Sequence, residues 1–69
     1  MSNKTLGTAL PAEQARVREV LTHYIEIGRA GQFGAAMIEQ SLQAADKAII
    51  SGDLTRMIAA YKDLQEIKD

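Results

Sequence analysis

Two breaks in helical periodicity constrain this chain more than any other feature. The first is Gly28-Arg-Ala-Gly-Gln-Phe-Gly34, with glycines three residues apart, and the second is Ser51-Gly-Asp53. Around them lie three segments whose apolar residues recur at intervals of three and four, the mark of amphipathic helices. No alternating β-branched run and no Asn-Gly turn is present, so nothing predicts a strand. The expectation is an all-α domain of about three helices, the last two joined tightly enough to form an antiparallel helical hairpin.

Pro11 suits the first turn of a helix, and Glu13 adds negative charge near the positive end of its dipole. That start leaves residues 1–9 as a frayed N-terminus and residues 10–69 as one helical domain. Val17, Val20, Leu21, Tyr24 and Ile27 form the apolar face of the first helix, widened by Ile25, with Gly28 closing it. The second helix runs from about Phe33 to Ser51. One half of its apolar arc is large (Ile38, Leu42, Ile49) and the other small (Gly34, Ser41, Ala44, Ala48), with Met37 and Ala45 also on the arc. Such a helix can pack against two neighbours at different distances and belongs at the centre of the fold. Gly52 stops it and Asp53 caps the third helix. Leu54, Met57, Ile58, Tyr61 and Leu64 define the buried stripe of that helix, and Lys62 and Glu66 an i,i+4 pair on its wet side.

Composition narrows the function. Sixty-nine residues make one domain with a small core, and there is no cysteine to staple it, which favours a homodimer. Eight Lys and Arg against nine Asp and Glu give a net charge of −1. A helix-turn-helix reading of the last two helices therefore lacks the basic surface that dominates affinity for nucleic acid. No apolar run reaches membrane-spanning length, and the N-terminal stretch "MSNKTLGTALP" has no signal-peptide core. An intracellular, soluble protein is expected.

No constellation carries catalysis, and no cofactor is implied. The sequence GRAGQFG matches neither dinucleotide nor phosphate-loop spacing, and no strand precedes it. It reads as a joint: Gly28 ends one helix, Gly31 allows the turn and Gly34 permits close approach to a neighbour. His23, the single histidine, shares a face with Glu19 and Glu26. That is a solvated face more readily than a metal site. Ser41 lies in the small-residue stripe with nothing to activate it. The chain is not expected to be an enzyme.

Two groups of residues suggest a partner. Glu39, Gln43, Asp46 and Ile50 are spaced 4, 3, 4 along the second helix. They form one stripe off the apolar arc, an acidic ridge with an apolar anchor suited to a basic surface. Its bland counterpart is a solvated face with Ile50 tucked against Leu54. Arg29 and Phe33, at the glycine joint, are residue types favoured as interface anchors; Phe33 serves equally as a plug over the end of the core.

The stretches "GRAGQFGAAMIEQSLQAAD" and "SGDLTRMIAAYKDLQEI", with the overall length, resemble the small quorum-sensing anti-activators of Mu-like Pseudomonas phages. The resemblance covers the whole chain but rests on no motif, so it assigns no contact residues. It implies a phage protein of the host cytoplasm that binds a LuxR-type transcriptional activator and blocks its DNA binding. It also implies inhibition of the ATPase that assembles type IV pili.

Overall fold

The computed structural model describes residues 5–68. Three α-helices, α1 (Leu6–Ile27), α2 (Gln32–Ser51) and α3 (Leu54–Gln65), follow one another, with a single 3-10 turn, Gly28–Gly31, between the first two. No described residue is in a strand, as the periodicity predicts.

The joint between α1 and α2 is made by its glycines. Gly28 has φ +84°, a conformation that side-chain-bearing residues adopt at a cost, and its N–H bonds the Ile25 carbonyl to close α1. Gly31 and Gly34 serve a different purpose. A Cβ on Gly31 would lie 2.2 Å from the Tyr24 carbonyl oxygen, and one on Gly34 would lie 2.6 Å from the Tyr24 ring. Tyr24 thus rests its backbone against one glycine and its ring against the next. The second break is equally local. Gly52 takes the left-handed conformation at φ +70°, and the Asp53 carboxylate accepts from the N–H groups of Thr55 (2.9 Å) and Arg56 (3.3 Å), capping α3.

Long-range contacts set the arrangement. Tyr24 meets Gly34 near one end of the α1–α2 pair, and Gln14 bonds Asp46 near the other. The two helices therefore run in opposite directions. α3 packs on both. Leu10, Val17, Val20, Ile38, Leu42, Ala45, Ala48, Ala60 and Leu64 form one core, with Leu21, Tyr24, Met57, Tyr61 and Ile67 half-buried around it. The two halves of α2 do not sort by neighbour: Gly34 of the small half packs on Tyr24 of α1, while Ala44 and Ala48, also of the small half, line a hollow with Ala59 and Ala60 of α3.

Several expectations need correction. α1 begins at Leu6 rather than at Pro11, so residues 6–9 are helical; residues 1–4 of the expected frayed segment lie outside the described residues. Pro11 sits in the second turn, where it deprives the Gly7 carbonyl of its usual donor. Fully buried Leu10 gives the upstream turns their hold on the core. Glu13 is then no first-turn acid; it pairs with Arg16. The apolar faces are also less covered than their periodicity predicts. Ile25, Ile27, Met37, Ile49, Leu54 and Ile58 are all exposed. With 12 residues, α3 is much shorter than the 22-residue α1 and the 20-residue α2, and three helices of unequal length cannot cover every face. Lys62 and Glu66 both stay in solvent and form no bridge to each other.

Adding one methyl at each glycine should rank the joint. Gly31→Ala meets backbone and should cost several kcal/mol, of the order of an overpacked core. Gly34→Ala meets a ring with some freedom and should cost less. Gly28→Ala should cost about 1–3 kcal/mol, from its positive-φ backbone alone, a conformation kept almost wholly to glycine. Urea unfolding measures all three; equal losses would contradict the role given to Tyr24.

Candidate functional site

Gln14 occupies a core position on α1, between Leu10 and Val17, and is buried. A buried amide must find a partner, and its Nε2 donates to Asp46 Oδ1 on α2 at 2.8 Å. Asp46 itself is exposed, so water reaches the acceptor but not the donor. One member of the expected acidic ridge is therefore also a structural tie between α1 and α2.

Arg16 ties α1 to α3. Its guanidinium donates to the Leu64 carbonyl at 3.0 Å, which also accepts from the Ile67 N–H, and to the Ile67 carbonyl at 2.9 Å, at a helix C-terminus that favours positive charge. Glu13 accepts two bonds from the same guanidinium, from Nε at 3.2 Å and from Nη2, the nitrogen that also serves the carbonyls, at 2.9 Å. The hydrogen bond to Glu13, and then its charge, raise the Arg16 pKa further above its ordinary range.

The remaining ridge residues stand free of the fold. Glu39, Gln43 and Ile50 are exposed on one flank of α2. Ile50 is 85% exposed and so is not tucked against Leu54, which is itself exposed. Arg29 and Phe33 are exposed at the opposite end of α2. Phe33, 79% exposed, is no plug over the core. The fold does not unite the two groups, because Phe33 projects from a different flank of α2 than the ridge. Arg29 lines a shallow hollow of about 340 Å³ with Ile25, Gly28, Gln32 and Ala35.

A second hollow, of about 410 Å³, opens between α2 and α3. Ala44, Ala48, Ala59 and Ala60 form its floor, and Lys47, Arg56 and Asp63 its rim. The alanines at 44 and 48 were legible as the small half of α2, but the groove was not, because its other wall belongs to α3. Glu19, His23 and Glu26 are exposed on α1, and no group of three His, Asp or Glu side chains that could hold a metal exists among the described residues. No helix is long and apolar enough to cross a membrane among the described residues.

The polar ties give two asymmetric tests. Asp46→Ala strands the buried Gln14 amide and should destabilise by about 1–3 kcal/mol, whereas Gln14→Leu removes the buried donor with its partner still solvated and should be nearly neutral. The double mutant should then resemble Gln14→Leu, as thermal unfolding would record. Arg16→Met should speed amide hydrogen exchange near the C-terminus of α3 more than in α2, because it leaves those carbonyls without their cation. Comparison with known protein families, with curated proteins and with solved structures finds no match for this chain.

Proposed function

We propose that the protein works by binding other proteins, and specifically that it captures a LuxR-type quorum-sensing activator and blocks its DNA binding. The observation that carries the broader reading is Ile50. An isoleucine left 85% exposed on the same flank as Glu39 and Gln43 contributes nothing to the core of this chain. Such a residue has a use when a partner covers it. The resemblance to phage anti-activators supplies the class of partner. The DNA-contacting surface of an activator is basic, and the Glu39 flank suits it by charge. On the same ground the chain acts in the cytoplasm of a bacterial host, and the pilus-assembly ATPase is a second target.

In this reading α2 and α3 form an antiparallel hairpin and the protein is a homodimer. The exposed apolar side chains at both ends of the helices support association of some kind. A structural or adaptor dimer without regulatory activity is the alternative, and it gives the ridge no role.

The test is direct titration of a purified LuxR-type activator. Asp46 is a poor site for substitution, since Gln14 depends on it. Glu39→Lys combined with Ile50→Asp changes charge and anchor while leaving the core intact. Affinity should fall by about tenfold or more, with unfolding unchanged. Equal affinity in wild type and variant would remove the ridge from the interface. No complex with the wild-type protein would overturn the anti-activator reading and leave the structural dimer.

A further inference from the structure

Past the end of α3, the flank of α2 that lines the hollow stays open. Arg16 bonds the carbonyls of Leu64 and Ile67, which sets the C-terminus of α3 beside the middle of α1. Tyr24, two turns further along α1, marks the level of Gly34. Beyond α3, therefore, about 12 Å of the α1–α2 pair has no third helix beside it among the described residues. Phe33 and Met37 stand on that open stretch, 79% and 52% exposed. They lie 11 and 7 residues before Ala44, which places all three on one flank of α2. The alanine floor and the two large anchors line up as a track along one flank of α2 over about 22 Å.

The shape and charge of this track define what fits it. Alanine on both walls lets a backbone approach closely, while Phe33 and Met37 reach out as knobs. Lys47 and Arg56 lie on opposite walls, five residues before and four after Gly52, so the short link places them across from one another, and with Asp63 the rim still carries more positive than negative charge. Neither forms an ion pair with a described residue.

We infer that this track receives an amphipathic helix of a partner protein, one with small or apolar residues along its seam and carboxylates that lie between Lys47 and Arg56. The inference rests on the protein-binding reading but uses a different flank of α2 from the acidic ridge, and it favours an acidic rather than a basic partner segment.

A labelled synthetic helix long enough to span the track is the probe, with an alanine and leucine seam and two glutamates at one end. A second peptide carries lysines in their place. Fluorescence anisotropy with the full chain should show binding of the glutamate peptide and about tenfold weaker binding of the lysine peptide. Phe33→Asp should weaken the glutamate peptide about tenfold. Arg56→Glu should reverse the preference between peptides without loss of helix content. Binding of neither peptide, or equal binding of both, overturns the inference. So does sedimentation showing that Phe33→Asp converts a dimer into a monomer, for then a second copy occupies the track. An intact complex with the activator alongside no peptide binding would discard the track alone. The reverse result would discard the anti-activator reading alone.

Discussion

Tyr24 against Gly31 and Gly34 is the contact on which the arrangement depends. It allows α1 and α2 to approach with nothing larger than hydrogen between backbone and ring. Because both helices are rigid over these lengths, fixing their spacing at one end fixes their register at the other. That register brings Gln14 to Asp46 and stacks Val17 and Val20 against the buried arc of α2. Without it, α3 would find no two-helix surface to pack on.

A core of nine apolar residues is small, and polar contacts complete what it leaves loose. The Gln14–Asp46 bond specifies register, since a slip of one turn would bury an unmatched amide. Arg16 reaches the end of α3 from the middle of α1. The Glu13–Arg16 ion pair contributes little by itself, being open to solvent screening; its effect is to aim the guanidinium at the two carbonyls.

Features built from neighbouring residues were legible in the sequence. Asp53 as a cap, Gly52 and Gly28 as stops, and the glycine joint all follow from local backbone chemistry. The centre of the core, from Val17 through Ile38 to Leu42 and Leu64, follows from period. What escaped was non-local. Arg16 finds acceptors 48 and 51 residues away, and no pattern in α1 announces them. Leu10 and Gln14 were missed because Pro11 read as a helix start, although the spacing of Leu10, Gln14 and Val17 continues the buried face. Ile27, Leu54 and Ile58 have core periodicity, but their cover depends on the relative lengths of helices in space. Of the candidate site, the shared flank of Glu39, Gln43, Asp46 and Ile50 was readable; the engagement of Asp46 with Gln14 was not.

The position of α2 has a consequence for how the molecule handles more than one neighbour. Its buried arc separates two solvent-facing edges, one holding Glu39, Gln43 and Ile50 and the other Phe33 and Met37. The edges are one helix diameter apart, roughly 10 Å. Slim elements laid along each edge would not collide, whereas two whole domains would. If both edges receive partners as proposed, assembly would be gated by the bulk of what arrives: two slender segments would share α2, and two globular bodies would exclude one another.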